Sequence, residues 1–413
     1  MTNGIILNIK TPVSAGVKTM SILMGIFMNL SCIGVYLFPS AGGGLDTSGM
    51  LGIMYMAVVG AIFVTSIYNK TFSIVKINRI IWVSIIGILL FYYYSITHLP
   101  EPRTPFNHFI VFTIVAMFIP SIIRINTRLT LLTVMVSTIP ALLQLQVVFF
   151  STIMTVTSDD ILSQGYSYAF LTPVVCAIIY LLYYYKNDSA KTKTWITIIV
   201  LINLLFSFFL ITRGSRGPIA ALVMLVAFPY VLKADYDMNG IKVNLKKFII
   251  LALVIYIVST NFIQILTLIQ SIFSGIGLSF HFVDKFLIRN ELGDITSERD
   301  GILEMAMNGF YANPFFGNGF DQFMNNTGRG YPHNFIAQIL YDGGLYLFTI
   351  TLLPVLFYLR RWFKSCNYNE YIIIVVLLFS SVPGALVSFD MWEVGNLWLF
   401  MGACLNYEKL TTT

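Results

Sequence analysis

The sequence predicts an all-α, polytopic integral membrane protein of about 12 transmembrane helices, and three observations predict it. Of 413 residues, 57% are apolar and 11% charged, with a mean hydropathy of +0.79, which is far above what a water-soluble domain carries. The apolar residues run in blocks of about 20, the length at which a helix crosses a bilayer. These blocks are solid, as at 248–268, and do not alternate with polar residues as barrel strands do.

Taken in order, the runs fall at 17–39, 50–68, 80–98, 109–123, 129–157, 168–185, 194–212, 218–234, 248–268, 333–358, 371–390 and 392–406. The first, Val17 to Pro39, is too long for a cleaved signal and has no convincing small-residue cleavage site, so it reads as the first membrane helix. Residues 1–413 form a single integral membrane domain in this reading, with 269–332 as one large outward loop. Placing the amino terminus in the cytoplasm puts 18 of the 25 basic residues on the inside. The positive-inside rule then places both termini in the cytoplasm.

The net charge of +6 is accounted for by these loops, so no nucleic-acid partner is implied. Cys32, Cys176 and Cys404 fall in spans and Cys366 in a cytoplasmic loop, which gives no disulfide framework. His98, His108, His281 and His333 lie on or near the outer face without the spacing of a metal site. No metal is expected.

The outward cations are Arg103, Arg213, Arg216, Lys285, Arg289, Arg299 and Arg329; six of these seven are Arg, against five of the 18 inside. Orientation in the membrane treats Lys and Arg alike, whereas a planar fork is favoured where phosphate or carboxylate is gripped bidentately. The outward arginines therefore read as functional, the plainer alternative being pairing with acids of the same loops.

The 64-residue loop 269–332 is long enough to carry function. Ser297, Glu298, Arg299 and Asp300 have the Ser-x-x-Asp form of a helix start. Leu303, Met307 and Phe310 would share one face of that amphipathic helix, and Asn313-Pro314 would stop it. Arg299 would then project from the first turn at headgroup depth, as a site residue or as the snorkelling Arg of an ordinary interfacial helix. Gly317-Asn318-Gly319 permits a tight turn and is a weak phosphate-binding signal by itself.

Three segments in this order resemble the bacterial O-antigen polymerase and O-antigen ligase superfamily. Arg213-Gly214-Ser215-Arg216-Gly217 before Pro218 is similar to its Ser-Arg-Gly turn between helices and puts Arg216 on the family arginine, with Arg213 as an extra. Arg299 followed by Asn313-Pro314 and Gly317-Asn318-Gly319 resembles the family's Arg-headed loop helix. His333-Asn334 with Gln338, Asp342 and Gly344 resembles its His-Asn helix motif, although Leu347 stands where a second glycine is usual. These motifs cover about a third of the chain, 207–347.

The resemblance implies an enzyme of the bacterial inner membrane acting at its periplasmic face. It would be a polymerase joining undecaprenyl-pyrophosphate-linked oligosaccharide repeat units, with a ligase moving polymer to lipid A core as the alternative. It also implies a chain-length regulator and a flippase as partners beside the lipid bilayer, and no cofactor. Arg216, Arg299 and His333 would be catalytic, and Arg213, Asn334, Gln338 and Asp342 would bind substrate. Arginines suit a departing pyrophosphate and an imidazole suits a hydroxyl proton; helix capping or spacing of arginines is the plain alternative for His333. Asp342, about 13 Å deeper along the helix, is either a buried partner of the site or the proton-coupling carboxylate of a transporter. A lipid-linked glycan flippase or secondary transporter is thus the non-enzyme alternative. The absence of a visible internal repeat, and the concentration of charge at one face, weigh against it.

Overall fold

The computed structural model describes residues 13–37, 47–71, 77–102, 104–144, 160–212, 216–233, 241–275, 281–291, 299–388 and 390–411. Helices occupy the described parts of the apolar runs. Among the described residues, three helices are long and apolar enough to cross a membrane, Arg79–His98, Ala190–Ser207 and Tyr368–Val387, or up to five counting two bent pairs as one span each.

The first run is broken: α1 (Ala15–Met28) and α2 (Leu30–Leu37) flank Asn29. The buried Asn29 amide nitrogen donates to the Val134 carbonyl and to the hydroxyls of Ser137 and Thr138, which ties the break to the bundle, while its Oδ1 is buried without a partner among the described residues. α3 (Thr47–Tyr68) and α4 (Arg79–His98) follow. The fourth run is an irregular helix, α5 (Phe106–Ser121), whose stretch Phe109–Val115 is π-helical. The fifth begins as α6 (Thr127–Ser137); its residues 145–157 lie outside the described residues. Next come α7 (Asp160–Tyr183), α8 (Ala190–Thr212) and α9 (Arg216–Val231). A hairpin of β1 (Leu232–Lys233) and β2 (Lys242–Val243) pairs Leu232 with Val243.

The ninth run bends by 74° between α10 (Leu245–Thr260) and α11 (Phe262–Ser274), so that helix continues past the expected start of the loop at 269. Within 269–332 lie also α12 (His281–Glu291), α13 (Arg299–Ala312) and the short α14 (Phe323–Thr327), more helix than the one amphipathic segment expected. α15 (Phe335–Ile350) and α16 (Leu352–Ser365) replace the straight tenth run and bend by 47°. α17 (Tyr368–Val387), α18 (Gly395–Leu405) and α19 (Tyr407–Leu410) complete the chain.

α17 is the central helix, packed by α7, α9 and α18; Tyr371 to Leu377 are each 0% exposed. Asn367 and Glu370 close a reciprocal capping box at its start, satisfying donors that a helix end otherwise leaves open. α10 is the opposite case, with no buried residue and an apolar surface on all sides, as a lipid-facing helix requires.

The helix ends sort onto two faces. At one, the side chain of Asn69 meets Gly16, Ile125 bridges to Thr411, Arg128 pairs with Asp188, and the Asn78 amide donates to the Leu405 carbonyl. Lys70, Lys186, Arg360 and Arg361 belong to these helix ends, so the described chain ends Ser14 and Thr411 lie on the cation-rich side. At the other, the Gln322 amide donates to the Pro100 carbonyl, the Ser95 hydroxyl accepts from the Phe320 N–H, and Tyr331 donates to the Ser388 carbonyl. The candidate site sits here.

Candidate active site

α13 is laid down on α15 by a small-residue face. Ile302 and Ala306 are buried in a cluster with Phe323, Ala337 and Tyr341, and the ring of Tyr341 lies over Gly309, where any Cβ would clash. The expected apolar face is therefore displaced: Leu303 is 38% exposed, because close approach to α15 selects Ala306 and Gly309 over bulkier neighbours. The described helix runs from Arg299 to Ala312 and ends before Asn313-Pro314; Ser297 and Glu298, on which the expected start rests, lie outside the described residues.

Beyond Pro314 the chain folds onto the middle of α15. The N–H groups of Asn318 and Gly319 donate to the carbonyls of Tyr341 and Asp342, at 2.8 Å each, and those of Leu345 and Tyr346 donate to Pro314 and Phe315, at 2.8 and 2.9 Å. This exchange is possible because α15 leaves helical geometry at Gly344 (φ 56°, ψ −150°), freeing backbone groups that the loop then satisfies. Gly317 (φ +66°) lies so close to Asp342 that a Cβ has no room. The Gly317-Asn318-Gly319 turn is thus a main-chain clasp on the α15 break.

His333 precedes α15 with φ 56°, a left-handed conformation that costs a side-chain-bearing residue about 1 kcal/mol or more. Asn334 takes the cap position, its side-chain oxygen accepting from the N–H groups of Ile336 and Ala337. The His333 ring packs on Tyr331 at 4.3 Å between centroids, and the Tyr331 hydroxyl donates to the Ser388 carbonyl at 2.6 Å. Its Nδ1 is buried with no hydrogen-bond partner among the described residues. Burial, and then the Arg299 guanidinium nearby, push the imidazole down to about 4, so at neutral pH it is uncharged.

Arg216 opens α9, though its side chain lies outside what the structure describes, as does Arg213 altogether. The residue after it, Gly217, lies against the Tyr168 ring, and Tyr168 stands within electrostatic range of Arg299 and Tyr331 and beside Ser388. The start of α9 at Gly217, the first described turn of α13 and the His333 segment are thereby gathered around Tyr168 and Ser388.

Gln338 and Asp342 face a different set of groups. The Gln338 amide donates to Asp390 at 2.8 Å, and its oxygen accepts from the Met391 N–H. Asp342 accepts from the Trp392 indole N–H at 2.8 Å, and its other oxygen is buried without a partner among the described residues. Asp321, which accepts from the N–H and hydroxyl of Thr104, and Asp390 complete a group of three buried carboxylates. Burial, reinforced by the Asp321 charge, pushes Asp390 up to about 7. Trp392 stacks on Trp398 and packs against Phe320 and Phe109, an aromatic floor beneath the loop.

Sequence reasoning missed Tyr168, Tyr331, Ser388, Asp390 and Trp392. The signal lay in Ser388, Asp390 and Glu393, three polar residues at the junction of two apolar runs, which marked that junction as more than a turn.

A neutral imidazole beside a guanidinium, at the face opposite the cation-rich loops, is an arrangement able to hold an anion and accept a proton. No curated protein matches the chain. Residues 201–352 match the family model described as O-antigen ligase, a family of glycosyltransferase-like enzymes that act on lipid-linked glycans. This stretch, which runs from within α8 to the start of α16 and carries Arg216, Arg299 and His333, is similar to that family.

Proposed function

We propose that the protein is a polysaccharide polymerase that joins undecaprenyl-pyrophosphate-linked oligosaccharide repeat units at the periplasmic face of the bacterial inner membrane, with both termini cytoplasmic. The observation that carries the reading is the pairing of Arg299 with an imidazole kept neutral at physiological pH. The acceptor sugar hydroxyl gives its proton to the His333 imidazole as its oxygen attacks the anomeric carbon of the donor. The bond from that carbon to the pyrophosphate oxygen breaks, and the electron pair leaves on the pyrophosphate. Arg299 and Arg216 stabilise that developing charge, with Arg213 in support. The proton then passes from the imidazole to water. In this reading guanidinium groups take the place of a metal ion, and Asn334, Gln338 and Asp342 belong to the substrate-bearing wall.

Reconstitution of the protein with lipid-linked repeat units, with no nucleotide sugar or metal added, should yield longer lipid-linked products. Arg299→Ala and His333→Ala should each lower turnover by roughly 100-fold or more. Turnover equal to wild type in both variants refutes the proposal.

The description of the matched family favours a second reading, transfer of finished polymer to lipid A core. A null strain separates the two. Loss of a polymerase leaves core bearing one repeat unit; loss of a ligase leaves bare core and accumulated lipid-linked polymer. Translocation of lipid-linked glycan in liposomes with no new glycosidic bond would instead identify a transporter.

A further inference from the structure

Three separate elements supply the candidate groups: Arg216 opens α9, Arg299 opens α13 and His333 precedes α15. Their separation is a tertiary property, so a contact reaching all three must set it. Tyr168, on α7, is placed to do so. A Cβ built on Gly217 would meet the Tyr168 hydroxyl oxygen first and the ring carbons at 2.9 and 3.0 Å, so the hydroxyl end of the ring lies against the α9 start only because residue 217 is glycine. The hydroxyl end of Tyr168 lies beside the Ser388 side chain, with Arg299 and Tyr331 within electrostatic range. Ser388 accepts from the Tyr331 hydroxyl at 2.6 Å, and Tyr331 packs on the His333 ring. Contacts therefore run from the Arg216 turn through Tyr168, Ser388 and Tyr331 to His333, with Arg299 alongside.

Resting on the glycosyl-transfer reading above, we propose that Tyr168 is a positioning residue for the reaction. Its hydroxyl end fixes the α9 start at Gly217 and, acting through Ser388, fixes the imidazole against Arg299. The diphosphate-gripping side and the proton-accepting side are then held at one spacing. Tyrosine suits this task because a rigid ring with two rotatable bonds fills the apolar gap over Gly217 while its polar tip reaches the Ser388 turn. Such positioning matters because small misplacements of reacting groups cost rate steeply.

The test uses full-length protein reconstituted with a lipid-pyrophosphate-linked repeat unit, comparing wild type with Tyr168→Phe, Ser388→Ala and the double variant. Tyr168→Phe keeps the ring carbons beside Gly217 and removes the hydroxyl, with its contacts to both the Gly217 backbone and Ser388. It should lower kcat about tenfold, with donor KM within about twofold of wild type. The double variant should be no slower than the worse single one, because both changes cut the same linkage. The acid limb of the kcat profile should also shift in Tyr168→Phe, since the surroundings of His333 change.

Unchanged kcat in Tyr168→Phe, or losses that multiply in the double variant, would overturn the inference. So would a raised donor KM at unchanged kcat, which would make Tyr168 a diphosphate ligand. Ser388→Ala, a small change on a half-buried turn, preserves the test if Tyr168→Phe does not fold. His333→Ala in the same assay separates the two failures: an inactive His333→Ala with a normal Tyr168→Phe sinks only this inference, whereas an active His333→Ala sinks the glycosyl-transfer reading.

Discussion

His333 holds a backbone conformation that most side chains avoid, and its ring is kept neutral by burial and by Arg299. Both features suit the proton-accepting role proposed for it, because an imidazole already charged at neutral pH could not take a proton from a hydroxyl. Arg299→Gln should raise the His333 pKa part of the way from about 4 toward the ordinary 6.5, only part because burial is the larger cause; titration of the isotopically labelled imidazole by NMR would show it, and an unmoved pKa would deny Arg299 its place beside the ring. Arg299→Lys keeps the charge and loses the fork. It should cost about tenfold in turnover with little change in the imidazole titration.

Among the elements, α13 and α15 decide the geometry of the site, and they show what a sequence can and cannot reveal. The end of α13 before Asn313-Pro314 was legible, because a helix stop before proline is local chemistry. Its buried face was not, since Ala306 and Gly309 face inward only because Tyr341 of α15 approaches there. The break of α15 at Gly344 was hidden for the same reason: the groups that satisfy it belong to Pro314, Phe315, Asn318 and Gly319. Gly344→Ala would set a Cβ 2.5 Å from the Pro314 carbonyl oxygen, and should destabilise the protein by about 2–3 kcal/mol and abolish activity. Gly328, also at positive φ but with open space around it, should lose only about 1 kcal/mol on change to Ala. Thermal unfolding in detergent would compare them, and equal losses would show that the clasp contributes nothing special.

Over the whole molecule, the sorting of cations between two faces was readable from charge and hydropathy alone, whereas the meeting of Tyr168, Ser388 and the three buried acids depends on contacts far apart in sequence. Those distant pairings also set the response to pH. His333, lowered from 6.5 to about 4, contributes stability that is present above 6.5 and is lost as pH falls toward 4. Asp390, raised from 3.8 to about 7, contributes stability that is present below 3.8 and is lost as pH rises toward 7. Between pH 4 and 6.5 the two slopes oppose. Relative to wild type, Asp390→Asn should therefore lose stability more steeply on acidification through this window, and His333→Gln more steeply as pH rises. Tm measured in detergent from pH 4 to 8 would check both, and parallel curves for the three proteins would rule the linkage out.

The clasp between residues 314–319 and the middle of α15 is made from main-chain donors and acceptors, which every sequence possesses wherever the fold permits. Under the proposed glycosyl-transfer reading, side chains displayed by neighbouring surface segments can then diverge, to recognise one saccharide or another, while the register between Arg299 and His333 is inherited unaltered from the peptide skeleton.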